Sequence, residues 1–214
     1  KTMTVKKGLK DAYSLKTPMD SVNLYRAWAS TYDNDFAIKN DYRSPSEVVK
    51  YYCKYSKKTD IPILDVGAGT GLIGECLREQ HSRKIDAIDI SSEMLNLAKL
   101  KQVYSRFIEA DLTKKLNIAS SQYGAVLSSG TFTHGHVGPE VFDELVRILK
   151  LGGLFIVTIH TGVFHNQGFK QKLSQLRKCI SPPVFHEVNA YGSKIDKKHG
   201  NDKVIITVFR KKVS

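Results

Sequence analysis

Short apolar runs alternate with amphipathic stretches along the 214 residues. Residues 61–66, 84–90, 106–110, 124–128 and 154–160 predict strands, the last almost wholly apolar as a central parallel strand should be. Between them, residues 71–80 and 91–102 predict helices, the second capped by Ser91 or Ser92. Ser44-Pro45-Ser46-Glu47 is a capping box with proline at the first helical position, and predicts a helix to about residue 57. Pro139 opens a helix whose Val141, Phe142, Leu145, Ile148 and Leu149 fall at helical spacing. Lys150-Leu151-Gly152-Gly153 predicts its end. Residues 168–178 predict one more helix. Residues 184–191 and 203–210 then predict two strands joined by a polar loop.

Strand–helix alternation predicts a doubly wound, mostly parallel sheet of seven strands. The closing strand–loop–strand has no crossover element, so that pair must be antiparallel. Residues 59–214 form the core on this reading, with residues 1–58 an N-terminal helical segment of the same domain.

Ile61-Pro62-Ile63-Leu64-Asp65-Val66-Gly67-Ala68-Gly69-Thr70-Gly71 runs a buried strand into a glycine-rich turn, and a helix follows. Such a turn lets a ligand lie on bare backbone beside free helix N–H groups. The Gly69-x-Gly71-x-x-Gly74 spacing matches the dinucleotide fingerprint, with Asp89 placed as a ribose-binding acid. Asp65 shifts the balance: a carboxylate beside the turn repels a pyrophosphate and suits a cationic ligand. S-adenosylmethionine, with an ammonium, a sulfonium and no phosphate, is such a ligand. Asp65, Gly67, Ala68, Gly69 and Gly71 are therefore candidate cofactor contacts. Asp89 ends the second strand, where one carboxylate can accept from both ribose hydroxyls. Ile90 and Met94 can pack on the adenine. Asp86, nearer the strand's start, reads as a solvated charge.

The formal charge is +12, but residues 17–165 hold 17 basic and 17 acidic side chains. The excess sits at the ends, with five basic against one acidic in residues 1–16 and eleven against three in 166–214. Basic ends suit an acidic or phosphorylated partner. No nucleic-acid-binding module accompanies them, so a small-molecule acceptor is favoured over nucleic acid. No apolar run approaches 18 residues, so no membrane span is expected. No signal peptide is evident, and the expected location is cytoplasmic. Cys53, Cys76 and Cys179 have no metal spacing and read as small apolar fillers; no metal is expected.

The string Leu64-Asp65-Val66-Gly67-Ala68-Gly69-Thr70-Gly71 resembles the first motif of class I S-adenosylmethionine-dependent methyltransferases. The antiparallel ending is a second point of likeness. Leu24-Tyr25-Arg26-Ala27-Trp28-Ala29-Ser30-Thr31-Tyr32-Asp33 is similar to the segment that precedes the core in small members, with Arg26 where an acid is common. With Tyr42-Arg43-Ser44-Pro45 and Gly135-His136-Val137, the likeness is to the methyltransferase-like family of the Williams–Beuren region, and it runs over residues 20–160. The resemblance implies a Rossmann-like fold under an N-terminal helical lid, and S-adenosylmethionine as cofactor with no metal. It implies that Asp111 accepts from the adenine amino group while the Leu112 N–H meets a ring nitrogen; otherwise Asp111 caps the turn before Lys114. Backbone carbonyls at Ser128-Ser129-Gly130 would hold the methionine amino group. Tyr25, Trp28 and Tyr32 would share one stripe of the lid.

The function expected is methyl transfer to a nitrogen, oxygen or sulfur atom of a small molecule. The alternatives are an RNA or protein methyltransferase gripping its partner with the basic ends, or a non-catalytic binder of the cofactor. The Asn-Pro-Pro-Tyr signature of enzymes acting on exocyclic base amines is absent, with Ser128-Ser129-Gly130-Thr131 in its place. Acceptors that lose a proton need a base. His134 and His136, after the fourth strand, are placed for that work, with Tyr32 on the opposite side; His160 and His165 are weaker candidates.

Overall fold

A computed structural model describes residues 20, 23, 24, 26, 28, 31–78, 84–135, 137–192 and 202–213. Seven strands form one sheet in the order β3-β2-β1-β4-β5-β7-β6. They are β1 (Ile63–Val66), β2 (Ile85–Asp89), β3 (Arg106–Glu109), β4 (Tyr123–Phe132), β5 (Leu149–His160), β6 (Val184–Asn189) and β7 (Lys203–Arg210). The first five are mutually parallel; β7 runs antiparallel to both β5 and β6. The expected doubly wound sheet with an antiparallel C-terminal strand is the fold.

The helices are α1 (Ser44–Tyr55), α2 (Leu72–Arg78), α3 (Ser92–Leu100), α4 (Val141–Ile148), α5 (Thr161–Asn166) and α6 (Phe169–Gln175). Both faces of the sheet are covered. On one, Phe142, Leu145 and Ile148 of α4 pack with Val126, Phe155 and Val157. On the other, Val48, Val49 and Tyr52 of α1 and Ile73 and Leu77 of α2 pack with Ile63, Ala125 and Ile156. Burial on both faces is why β1 and the second half of β5 are mostly apolar, with Asp65 and Thr158 as buried polar exceptions.

Several local expectations are corrected. Ser44 does not cap α1: the N-cap is Arg43, and the buried Ser44 hydroxyl turns to the Ala190 carbonyl at 3.5 Å. Glu47, freed from the box, pairs with Lys50 at 2.9 Å. Helix α4 ends at Ile148, and residues 150–153 already belong to β5. Gly153 is there because a Cβ would sit 2.9 Å from the Gly124 carbonyl of the neighbouring strand. Asp86 is buried and accepts from the Tyr123 hydroxyl at 2.9 Å, so it is a core partner of β4 and not a solvated charge. Cys53 and Cys179 are exposed, not fillers of the core. Helix α5 was unforeseen; the His160 side chain starts it by accepting from the Gly162 N–H at 3.2 Å.

Before α1, Trp28 is buried and meets Tyr32 and Phe36 edge-on, with ring centroids 5.1 and 5.4 Å away. These aromatics pack with Ala190, Tyr191 and Val204 at the β6–β7 end of the sheet. No described helix is long and apolar enough to cross a membrane.

Candidate functional site

Parallel strands deliver their carboxyl ends to one edge of the sheet. β1, β2 and β3 therefore bring Asp65, Asp89 and the segment just past Glu109 together. They wall a cleft enclosing about 970 Å³, its open mouth included. Its walls include Asp65, Gly67, Ala68, Gly69, Asp89, Ile90, Met94, Asp111, Leu112 and Tyr32. Ten of the expected contacts thus share one cavity. Three carboxylates line it, and among the described lining residues there is no lysine or arginine.

The turn after β1 is shaped by what it must avoid. A Cβ on Gly67 (φ +66°) would lie 2.0 Å from Thr131 Oγ1 of β4, so only glycine fits. A Cβ on Gly69 (φ +55°) would meet nothing within 4 Å, which leaves that backbone bare toward the cleft. The turn is tied down by its neighbour strand: Gly67 and Ala68 both donate to the Ile88 carbonyl, at 2.9 and 3.0 Å.

Each acid is held differently. Asp89 accepts from the Gly69 N–H at 2.8 Å through one oxygen and from the Ser91 N–H at 2.9 Å through the other. Burial pushes its carboxyl above the ordinary range, and those backbone donors oppose the rise. Asp65 is 1% exposed and accepts from the Tyr104 hydroxyl at 2.6 Å. Burial pushes it up to about 7; the Tyr104 bond pulls the other way, and the Asp89 charge adds to the rise. Asp111 Oδ1 accepts from the Thr113 N–H at 2.8 Å and from its hydroxyl at 2.7 Å. Asp111 thus caps its turn and also lines the cleft.

Two expected contacts fall behind the wall. Gly71 (φ +90°) is not a lining residue; a Cβ there would be 2.8 Å from the Tyr104 ring. Ser128 is fully buried, its hydroxyl donating to the Val66 carbonyl at 2.7 Å, while the next residues, Ser129 and Gly130, form the wall. His134 is also off the wall: its ring meets that of His160 edge-on at 4.5 Å. Burial and the neighbouring His134 hold His160 below the usual imidazole range. Tyr25 and His136 lie outside the described residues.

Sequence reasoning missed several groups. Thr131 and Tyr42 line the cleft, and the Tyr42 hydroxyl lies 3.0 Å from Ser129 Oγ. Thr70 donates to Asp33 Oδ1 at 2.5 Å, and Lys101 holds the other Asp33 oxygen at 2.9 Å. Arg26, the departure noted above, pairs with Glu93 of α3 at 2.8 Å. The segment before α1 is thereby fastened to the glycine turn and to the helix after β2. Only the Tyr-Asp and Tyr-Arg-Ser-Pro strings signalled any of these groups in advance. Among the described residues no cluster of histidine, cysteine, aspartate and glutamate could hold a metal ion.

Comparison with known proteins follows the same outline. Residues 64–157 match a family model described as a methyltransferase domain. Human methyltransferase-like protein 27 is 30% identical over 162 residues, covering 73% of this chain; the chain spans 64% of that relative's length. A malonyl-[acyl-carrier protein] O-methyltransferase from Halalkalibacterium halodurans is 35% identical over 101 residues, 44% of this chain and 37% of that protein. Among solved structures, the [4+2]-cyclase SpnF superposes with a TM-score of 0.70 at 16% identity, over 94% of this chain and 98% of its own. That likeness is one of fold alone.

Proposed function

We propose that the chain, which matches a methyltransferase-domain model over residues 64–157 and is similar to methyltransferase-like protein 27, is a class I S-adenosylmethionine-dependent methyltransferase whose cleft binds S-adenosylmethionine and directs the methyl group to a nitrogen, oxygen or sulfur atom of a small molecule. The observation that carries this reading is the charge of the wall: Asp65, Asp89 and Asp111 converge beside bare Gly69 backbone, with no cationic side chain among the described lining residues. Such a wall repels a pyrophosphate and suits a ligand of net positive charge, whose ammonium and sulfonium outweigh its one carboxylate. The residues present therefore fit this cofactor, which supplies a methyl group already activated for in-line displacement.

Each residue then has a task. Asp89 accepts from the ribose hydroxyls with lone pairs left over from its two backbone donors. Asp111 and the Leu112 N–H read the adenine edge, with Ile90 and Met94 on its faces. Asp65 and the backbone at Ser128–Gly130 receive the methionine end. Tyr32, in the segment before α1, closes the cleft from the N-terminal side. Holding acceptor and methyl in line can supply about 7–11 kcal/mol of the barrier, so placement is the main contribution. The base for the proton of an amine, hydroxyl or thiol is assigned to the histidines after β4, His136 or His134, the latter off the described wall with its ring 4.5 Å from that of His160. His160, held below the usual range, is neutral at pH 7 and able to accept a proton.

The test is a screen with methyl-labelled S-adenosylmethionine and a metabolite extract split into small and large fractions. The proposal expects label in small molecules, dependent on the protein and abolished by S-adenosylhomocysteine. Label confined to protein or RNA would overturn the acceptor class. Binding without label in any fraction would make the protein a non-catalytic binder.

A further inference from the structure

We propose that Tyr104 is a positioning residue of the cofactor site, acting through Asp65, and that part of the glycine fingerprint exists to admit its ring. The inference rests on the cofactor reading above and deepens it.

Tyr104 lies in the loop between α3 and β3, and its ring comes at the glycine turn from behind the cleft. Two glycines make room for it. A Cβ on Gly71 would be 2.8 Å from Tyr104 Cε2, and one on Gly74 would be 2.5 Å from Cζ and 2.6 Å from the hydroxyl oxygen. These two of the three glycines in Gly69-x-Gly71-x-x-Gly74 face a protein side chain; Gly69 alone leaves backbone bare toward the cleft. The ring is fixed on its far side by Phe107 of β3, edge-on at 5.7 Å.

The hydroxyl then makes two bonds in opposite senses. It donates to Asp65 Oδ2 at 2.6 Å and accepts from the Gly74 N–H at 3.1 Å. One phenol thus joins a cleft carboxylate at the end of β1 to the first turn of α2. Among the described residues it is the one side-chain hydrogen-bond donor to Asp65, a carboxylate 1% exposed. A buried carboxylate without a donor reverts to its neutral form. The titratable groups acting on this pair are few: Asp89 bears on Asp65, and Cys76 of α2 bears on Tyr104. Both oppose charge at the pair, so the Tyr104 hydrogen bond is what favours the Asp65 carboxylate at neutral pH. Asp65 is pushed up to about 7 even with that bond in place.

A ligand carrying an ammonium binds the carboxylate form better. Affinity should therefore fall as pH drops through the Asp65 titration, and removing the phenol hydroxyl should move that fall to higher pH. Tyr104→Phe keeps the ring against Gly71 and Gly74 and removes only the hydroxyl.

The experiment is calorimetric titration with S-adenosylhomocysteine, from pH 6 to 9, of the wild type, Tyr104→Phe, Asp65→Asn and the double variant. The wild type should bind. At pH 7 Tyr104→Phe should bind about 10–150-fold more weakly, the range expected for losing a hydrogen bond to a charged group, with its fall-off moved upward in pH. In the Asp65→Asn background the same change should cost less than twofold, because the tyrosine then has no charge to support. An equal loss in both backgrounds, or an unmoved pH profile, would overturn the positioning role and leave the cofactor reading intact. No binding by the wild type would overturn both. Should Tyr104→Phe not fold, 3-fluorotyrosine at position 104 provides a stronger donor with the ring retained. It should move the fall-off to lower pH; an unmoved profile would overturn the proposal.

Discussion

Two concave regions at opposite edges of the sheet carry opposite charge, and they are built in opposite ways. The cleft, at the carboxyl ends of β1–β4, is lined by Asp65, Asp89 and Asp111 with no described lysine or arginine. The groove, beside the amino end of β6, is lined by Lys170, Arg177 and Lys212 among apolar side chains such as Leu173 and Phe185, with no carboxylate among the described lining residues. The acids have hydrogen-bond donors within the fold, two of them backbone N–H groups on Asp89 alone. The cations of the groove stand on long side chains at the surface. Charge that is desolvated and fixed discriminates between ligands, whereas charge that is solvated and mobile adds little to a specific contact. The net charge of +12 is therefore a poor guide to what the cleft binds, since its local sign is negative.

The comparison breaks most easily at the glycine turn. Gly67→Ala places a Cβ 2.0 Å from Thr131 Oγ1 at a positive φ, combining backbone strain with a clash. We expect it to cost about 2–4 kcal/mol of stability in urea unfolding and to abolish S-adenosylhomocysteine binding. Gly69→Ala has the same sign of φ and no protein neighbour within 4 Å. It should cost only about 1–2 kcal/mol of stability while still weakening the ligand, because its methyl enters the cleft. Equal stability loss in the two variants would remove the distinction between a glycine kept for packing and one kept for access.

Asp65 gives the next largest effect, with a definite sign. Its folded-state pKa of about 7 lies above the ordinary 3.8, so the unfolded chain gives up its proton first as pH rises. Stability from this group falls between pH 4 and 7, and the full penalty stands above pH 7. Asp65→Asn should therefore leave stability unchanged near pH 4 and raise it at pH 8 by at most about 4 kcal/mol, while weakening the cofactor. Site and stability conflict here, as expected for a carboxylate kept buried for a ligand. Thermal melts of the two proteins at pH 4 and 8 decide it; a variant less stable at pH 8 would contradict the burial argument.

For Asp89→Ala we expect a loss of about 1.5–3 kcal/mol in S-adenosylhomocysteine affinity, measured by titration. Because Asp89 also holds the Gly69 and Ser91 N–H groups, some stability should go with it, a coupling that its end-of-strand position alone did not reveal. Charge reversal in the groove is the smallest effect. Lys170→Glu with Arg177→Glu should change affinity less than twofold and stability by about 0.5 kcal/mol or less. A tenfold change in affinity would mean that the two regions communicate.

Legibility in the sequence follows the same divide. Gly67, Gly69 and Asp89 could be placed in advance because neighbouring parallel strands carry their turn residues to a common edge, so short spacings suffice. Strand order and the antiparallel β7 followed from alternation and from the missing crossover. Tyr104 and Thr131 were not legible, because their roles depend on which loop folds against which turn, and no local pattern marks a tyrosine that will fill the space left by two glycines. Asp86 was misread for a related reason: its partner, Tyr123, lies 37 residues away. Ser44 has every feature of a cap, yet the β6–β7 end of the sheet supplies the Ala190 carbonyl and tertiary packing prevails.

The central claim is that an acid-lined cleft selects an adenosyl amino acid, with its ammonium and no phosphate, over a pyrophosphate dinucleotide. Calorimetric titration of the same protein with S-adenosylhomocysteine and with NAD tests it most directly. The account predicts micromolar or tighter binding of S-adenosylhomocysteine and no heat with NAD; binding of NAD without a response to S-adenosylhomocysteine would contradict it.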